Sequence, residues 1–482
     1  MKEHTLLRLG VVGSIIGGGY DLAVVGAGSA GFSAAITAAG LGAKVALIGH
    51  GTIGGTCVNV GCVPSKAMIR AAEAIHCAKS AKRFPGITGS AELADWGQLV
   101  AAKDDLVNGL RQKKYAELLP EYENIDYIEG APARVVQGGV QVGDRLIEVP
   151  KVVVATGGRP SLPPIEGIDE VATLDSTQLL ELKTLPKSLI FVGGGYIGSE
   201  LALMMARMGI EVTIICRSRL LPGAEPEISD ALTASFRSEG ITMYCGSIYD
   251  ACRKDESGAT ICIEHEGKRL ELTAERLAVM TGRTPNTEGL GLQEVGVELD
   301  KRGAIRVNDM MQTSNPNIYA AGDVTDRDQF VYMAAYGAKI AATNALAKGQ
   351  AAYDNAAMPW VVFTDPQVAG AGLSEAEAWE AGYDVKTSIV PLDQVPRALA
   401  ARDTRGLIKL VADKGTDKLL GGQIMAPEGS DSIQTLAMAL KFNMTAKELG
   451  ETIFPYLTTV EGLKLAAQTF DMDVTKLSCC AG

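Results

Sequence analysis

DLAVVGAGSAGFSAAITAAGLGAKVALI, residues 21–48, runs from an apolar strand through a glycine turn and a small-residue helix into a second apolar strand. That is one βαβ unit, with glycines spaced for a dinucleotide. Gly26 suits the tight turn, Gly28 the backbone approach to a pyrophosphate, and Gly31 the close packing of helix on strand. The helix amino terminus favours the phosphate charge. The pattern recurs at 189–215, LIFVGGGYIGSELALMMARMGIEVTII, with Gly193, Gly195 and Gly198. A lone GxGxxG is weak evidence, but the strand-turn-helix context repeated twice predicts two dinucleotide sites.

The ends of the second strands separate the two ligands. After EVTII come Cys216, Arg217, Ser218 and Arg219, so the acid that would bond a ribose 2′-hydroxyl is absent. Guanidinium groups suit a 2′-phosphate, which favours NADPH over NADH, with Arg217 and Arg219 as its partners. After KVALI in the first unit the acid is also missing, and Gly49 and His50 stand there. This departs from the dinucleotide pattern.

A chain of 482 residues is long enough for about three domains. With 47% hydrophobic and 21% charged residues it is not disordered, and 55 glycines with 5% aromatics suit an α/β class. The net charge of −12 contains no Lys/Arg block, which argues against nucleic acid or an anionic membrane as principal partner. The early segment LLRLGVVGSIIGGG is interrupted by Arg8 and too short to span a bilayer; it reads as a leader into the first strand. Of nine cysteines, Cys77, Cys216, Cys245, Cys252 and Cys262 read as single buried apolar residues. The other four form two pairs.

The first pair lies in GTIGGTCVNVGCVPSK, where Cys57 and Cys62 are five positions apart. Five steps of ideal helix rise roughly 7.5 Å, too far for a disulfide, so a bond between them needs an irregular or bent helix start. Such a bond is strained and easily reduced. No second Cys/His pair stands nearby at structural-zinc spacing, so redox chemistry is the better reading. A helix amino terminus with Lys66 alongside stabilises either thiolate.

GAGSAG, GGTCVNVGCVPSK, GGGYIGSE, TGRTPNT at 281–287 and IYAAGDV at 318–324 together resemble the flavoprotein disulfide reductases, over nearly the whole chain from residue 20. The resemblance implies an α/β fold of two Rossmann-like dinucleotide-binding domains, glutathione reductase-like, plus an α+β C-terminal dimerisation domain. It divides the chain into an FAD-binding domain (1–158), an NADPH-binding domain (159–279), a central segment completing the FAD domain (280–350) and a dimerisation domain with a Cys-Cys tail (351–482). It makes Cys62 the thiolate against the flavin and Cys57 the interchange thiol. It also implies a Lys66–Glu200 ion pair near the flavin edge, Asp323 on the ribityl chain, Gly51, Thr56 and Val331 among the cofactor contacts, and Tyr196 over the nicotinamide pocket.

Members that reduce organic disulfides carry a histidine near the carboxy terminus as proton shuttle. Here the histidines are His4, His50, His76 and His265, and the corresponding stretch, FPYLTTVEG at 454–462, has Tyr456 in that place with Glu461 following. A phenol with a pKa near ~10 is no general base at neutral pH. A soft ion such as Hg(II) needs pairs of sulfurs more than a proton shuttle. The second pair, Cys479 and Cys480 in the closing LSCCAG, then becomes a carrier that delivers the metal to Cys57 and Cys62 of the partner subunit. MPWVVFTDPQVA at 358–369, VPRALAARDTRG at 395–406 and LKLAAQTF with the Cys-Cys ending resemble the mercury-reducing branch of the family. The expectation is a cytoplasmic homodimer reducing Hg(II) with NADPH and FAD, without the amino-terminal metal-carrier domain found in many members. The alternatives are a dihydrolipoamide dehydrogenase or glutathione reductase-like enzyme, which the missing histidine disfavours, and a soft-metal carrier without turnover, which the intact glycines, cysteines, Lys66 and Asp323 disfavour.

Overall fold

The computed structural model describes residues 19–256, 258–347 and 351–473. Two compact units make up the chain, each drawn from three stretches. The first takes the described residues up to Asn59 together with Leu106–Arg159 and Arg283–Tyr353.

Its centre is a five-stranded parallel sheet in the order Ile318–Ala320, Val152–Val154, Leu22–Val25, Val45–Gly49, Ile125–Glu129. The three middle strands are buried throughout, which is why they read as continuous apolar runs rather than alternating ones. Helices Ser29–Gly40 and Val331–Leu346 pack together, Ser33 Oγ donating to the Ala335 carbonyl at 2.7 Å. Small residues on both helices, Ala34, Ala38, Gly337 and Ala341 among them, are buried and allow close approach. A three-stranded antiparallel sheet, Ala133–Val136, Gly139–Val142 and Arg145–Glu148, completes this unit.

The second unit takes Val60–Asp105, Pro160–Gly282 and the described residues from Asp354 onward. It contains another parallel sheet, in the order Thr242–Cys245, Glu211–Cys216, Ser188–Val192, Arg276–Val279, Thr173–Leu174. It also contains an antiparallel sheet in which Pro359–Val362, Gln367–Gly372, Leu419–Ala426, Leu407–Asp413 and Val385–Pro391 follow one another. Residues 60–105 belong to this unit because Met68, Ala72, Ile75, Trp96 and Val100 share one core with Leu201, Met205, Phe236, Val362 and Met425. The fold class is therefore the expected one: two parallel Rossmann-like sheets and a carboxy-terminal sheet-and-helix region. Among the described residues no helix is long and apolar enough to cross a membrane. The proposed leader at the amino terminus, Gly19 excepted, lies outside the described residues.

Candidate functional site

In the first unit, the turn after strand Leu22–Val25 is shaped by glycines that nothing else could replace. Gly26 has φ +117°, and a Cβ there would stand 2.2 Å from the Ala155 carbonyl oxygen. A Cβ on Gly31 would lie 1.7 Å from the Gly26 carbonyl oxygen, so the helix can approach the turn only without one. Gly28 caps helix Ser29–Gly40 with no side-chain hydrogen bond, leaving the first amides for a phosphate. Gly55 passes close to Gly28, its Cβ position being 2.6 Å from the Gly28 Cα. Gly51 has φ +87°, and Thr56 is exposed on the short helix Gly55–Asn59. These features fit a dinucleotide diphosphate.

Asp323 follows Gly322, whose φ is +80°, and its carboxylate accepts from Arg283 Nε at 3.2 Å. The other end of that guanidinium donates to the Gly158 carbonyl, which fixes the Asp323 turn to the neighbouring loop. Val331, half-buried, starts helix Val331–Leu346.

The missing acid after the first unit's second strand has a structural counterpart. The ring of Tyr127, from the adjacent strand, lies over Gly49: a Cβ on Gly49 would meet the Tyr127 hydroxyl oxygen at 2.3 Å. Among the described residues that hydroxyl is buried and has no hydrogen-bond partner. Burial, and then the charge of Glu129, push its pKa up to about 12, so it is a neutral donor. The hydroxyl thus sits unsatisfied against Gly49, near the carboxyl edge of a parallel sheet where such folds bind nucleotides. Sequence reasoning missed it because the hydroxyl comes from the third strand rather than the second.

The cysteine segment is irregular, as its spacing requires. Cys57 lies in helix Gly55–Asn59, which ends before Val60–Gly61, and Cys62 opens helix Cys62–Ser80. Asn59 terminates the short helix: its amide donates to the Ile53 and Gly55 carbonyls at 2.9 and 2.8 Å, and its oxygen accepts from Arg111 at 3.0 Å. Both cysteines are half-buried.

In the second unit the nucleotide turn repeats the same logic. Gly193 has φ +111° and its Cβ position is 2.5 Å from the Met280 carbonyl oxygen, while a Cβ on Gly198 would stand 2.3 Å from the Gly193 carbonyl oxygen. Gly195 faces open space and caps helix Tyr196–Arg207 without a side-chain bond. Beyond strand Glu211–Cys216, Arg217 is exposed, whereas the Arg219 guanidinium is turned onto the loop, donating to the Pro222 and Ala224 carbonyls at 3.2 and 2.8 Å.

Tyr196 stacks on Trp360, with ring centroids 5.6 Å apart and planes 19° from parallel. Burial, and next the charge of Glu377, raise its pKa to about 12. One turn along the same helix, Glu200 is 5% exposed; it accepts from Lys66 Nζ at 2.6 Å and from the Phe363 amide at 2.8 Å. Lys66 Nζ also lies 4.9 Å from the centre of the Phe363 ring. A cavity of about 20 Å³ beside this pair, lined by Arg207 and Asp365 as well, has room for a single water.

A buried charge network supports the pair from below. Arg207, at the far end of helix Tyr196–Arg207, donates to both Glu239 oxygens at 2.8 and 2.7 Å and to Asp365 at 2.9 Å. His76, from helix Cys62–Ser80, lies 3.3 Å from Glu239. Burial alone would raise the Glu239 pKa, but the Arg207 hydrogen bond and then His76 outweigh it and hold the carboxyl at about 2. Helix Cys62–Ser80, helix Tyr196–Arg207 and the segment after strand Pro359–Val362 are thereby tied together.

Tyr456 is 51% exposed. Glu461 is buried, and its carboxylate accepts the Leu457 amide at 3.0 Å, where Leu457 has φ +60°. It thus stabilises the strained turn that presents Tyr456. Cys479 and Cys480 lie outside the described residues. Of the five single cysteines, Cys216, Cys252 and Cys262 are buried as expected, but Cys77 is exposed. The buried face of its helix is carried by Ser65, Met68, Ala72 and Ile75, and Cys77 falls on the other side. Cys245 is half-buried and is not single, since it pairs in register with Cys216.

Residues 20–347 match the pyridine nucleotide-disulphide oxidoreductase family, and residues 358–467 match the dimerisation domain of the same family. The chain is 46% identical to a mercuric reductase of Lysinibacillus sphaericus over 464 residues, covering 96% of this chain and 85% of that one. It is 44% identical to a mercuric reductase of Streptomyces lividans over 470 residues, covering 96% of this chain and 99% of that one. Among solved structures it is similar to the HOCl-induced flavoprotein disulfide reductase RclA from Escherichia coli, with a TM-score of 0.81 and 29% identity, covering 93% of this chain and 99% of that one.

Proposed function

Because the chain belongs to the pyridine nucleotide-disulphide oxidoreductase family, we propose that it reduces Hg(II) to elemental mercury with NADPH. FAD, when bound, would supply two-electron transfer between the NADPH hydride and the metal; overall, NADPH and Hg(II) become NADP⁺, a proton and Hg(0). The reading rests on one observation: the similarity to mercuric reductases runs through 96% of the chain, both dinucleotide units and the cysteine segment included. The absence of any histidine after His265 supports it, because a metal ion accepts electrons without a protonated leaving thiol.

In this proposal Gly26, Gly28, Gly31, Gly51 and Thr56 surround the FAD diphosphate, Asp323 accepts from the ribityl chain, and Val331 contacts the ring system. The Tyr127 hydroxyl takes the adenosine ribose in place of the carboxylate missing at Gly49. Gly193, Gly195 and Gly198 hold the NADPH diphosphate; Arg217 meets the 2′-phosphate, and Arg219 holds the loop beneath it. Tyr196 covers the nicotinamide pocket, and Glu200 aims Lys66 at the flavin edge. Cys62 and Cys57 bind the metal as thiolates, and the partner subunit's Cys479 and Cys480 deliver it by ligand exchange. Tyr456 borders that route, and Glu461 fixes its turn. The dimerisation domain supports a homodimer, and NADPH and thiol donors suit a cytoplasmic location.

The test is NADPH oxidation with Hg(II) in excess thiol while mercury vapour is trapped, beside Cu(II), lipoamide and glutathione disulfide. Vapour stoichiometric with NADPH supports the reading. Brisk disulfide turnover without vapour would overturn it in favour of a disulfide reductase, and neither activity would favour a carrier.

A further inference from the structure

Cys216 and Cys245 are direct register partners on neighbouring parallel strands, each the last residue of its strand. Partnered residues of a parallel pair project to the same face, with strands about 4.8 Å apart, so two sulfurs converge at the carboxyl edge of the nucleotide sheet. The Cys216 thiol donates to the Ser218 carbonyl at 3.9 Å, and its closeness to Cys245 pushes the Cys216 pKa up; the same interaction, and then Arg237, draw Cys245 down to about 7 against the opposing effect of burial. Asp230 acts against this, and the nearby Tyr249 hydroxyl donates to the Ile215 carbonyl at 3.2 Å. The Cys216 sulfur also lies 3.4 Å from where a Cβ on Gly194 would stand, so it underlies the glycine turn of the second dinucleotide fingerprint. That turn is held in place by the Leu221 amide donating to the Gly194 carbonyl at 2.7 Å.

We propose that Cys216 and Cys245 form a second soft-metal site, which takes Hg(II) as a two-coordinate bis(thiolate) and in doing so weakens binding at the adjoining nucleotide turn. Two sulfurs and no third ligand suit a thiophilic ion of low coordination number rather than zinc, which requires four. Among the described residues no group of three metal-ligating side chains is present to compete for such a role. The exchange is balanced: two Hg–S bonds to donor thiols break and two to Cys216 and Cys245 form. Both cysteine protons leave with the donor thiolates, and nothing is oxidised or reduced. The half-buried Cys245 gives the incoming complex its point of attack, and the transfer finishes at the buried Cys216. The consequence is inhibition by excess substrate, acting on NADPH rather than on the redox cysteines; this second part depends on the turn binding NADPH.

Oxidised FAD-loaded enzyme, without NADPH, is incubated with the Hg(II)–bis(cysteine) complex, desalted and assayed for retained mercury. Wild type should retain about one equivalent per subunit more than Cys245→Ser or Cys216→Ser, while Cys252→Ser should match wild type. Cys245→Ser keeps a half-buried side chain of equal shape, so it reads the site even where Cys216→Ser misfolds. Equal retention in wild type and Cys245→Ser would remove the site. Preloaded wild type should also show a KM for NADPH raised severalfold, with Cys245→Ser unaffected. An unchanged KM alongside the extra equivalent would overturn the coupling to the nucleotide turn.

Discussion

Replacing Tyr127 with phenylalanine should move two measurements in opposite directions. Without cofactor, the Tyr127 hydroxyl is buried with no partner, and an unsatisfied group of that kind costs about 1–3 kcal/mol. The ring itself is only half-buried, so the lower half of that range applies. The Tyr127→Phe apoprotein is therefore more stable than wild type by about 1 kcal/mol, a rise of roughly 1 °C in Tm for a chain of this size. With FAD bound, the wild-type hydroxyl gains the ribose as partner, and the variant loses a hydrogen bond of about 1 kcal/mol. The two terms add in the binding free energy, so FAD affinity falls by about 2 kcal/mol, close to 30-fold. Titration of apoprotein by flavin fluorescence gives the affinity, and thermal melts with and without FAD give the stabilities. An FAD Kd within about twofold of wild type, with Tm raised equally in both states, would show that the hydroxyl is merely an unsatisfied group and does not reach the cofactor. The double variant gives a second check. Gly49→Ala places a Cβ 2.3 Å from the Tyr127 hydroxyl and should cost about 1–3 kcal/mol, most of it recovered when Tyr127→Val is added.

Other consequences of the same geometry are open to measurement. Glu200→Gln leaves Lys66 without its counter-ion; since Lys66 is a third exposed it can rehydrate, and a loss of about 1–2 kcal/mol in stability with a shifted flavin absorbance is expected, whereas an unchanged spectrum would separate the pair from the flavin. Glu239 has a folded pKa of about 2 against an ordinary value of 4.5, so its contribution of about 3 kcal/mol is complete above pH 4.5 and lost as pH falls toward 2. Glu239→Gln should lower Tm at pH 7 and flatten its fall over that acid window; a parallel downward shift at every pH would contradict the depressed pKa. Cys57→Ser or Cys62→Ser should abolish mercury vapour while NADPH still bleaches the flavin, and loss of both reactions would place the lesion in cofactor binding instead. Cys479→Ala with Cys480→Ala should slow turnover most when Hg(II) is presented on bulky thiols, and equal rates on all donors would remove the handoff.

The parallel sheets were legible because their strands are continuously apolar and their turns need glycine for reasons that local sequence carries. The break between Cys57 and Cys62 was legible for a similar reason, since five residues of ideal helix are incompatible with a disulfide. What escaped was side-chain geometry between distant elements. Trp360 and Phe363 stand in a stretch visible in the sequence, yet that Trp360 stacks on Tyr196 and that the Phe363 amide binds Glu200 follow only from a strand crossing beside the nucleotide helix. The Arg207–Glu239–Asp365 network joins residues 32 and 158 positions apart, and charge pairing at that separation leaves no periodic trace. Cys216 and Cys245 read as two core thiols because register between parallel strands depends on the crossover connecting them, not on either strand alone.

The two nucleotide units also show why an absent residue can have opposite meanings. Both lack the acid that normally ends the second strand, and a single rule would assign both the same change of ligand. In the second unit Cys216 stands where Gly49 does in the first, and Arg217 follows it, exposed, so a cation stands beside the acid's position and a 2′-phosphate is the matching ligand. In the first unit no cation appears; Gly49 instead removes every atom that could obstruct the neighbouring Tyr127 ring, and a neutral donor fills the gap. A neutral hydroxyl can bond a ribose 2′-hydroxyl but offers a phosphate dianion no charge. Under the proposed function, the first unit would keep selectivity for an unphosphorylated adenosine such as that of FAD, and the second would give it up. Gly49 and Tyr127 are accordingly a matched pair, in which the glycine has value only because the tyrosine is there.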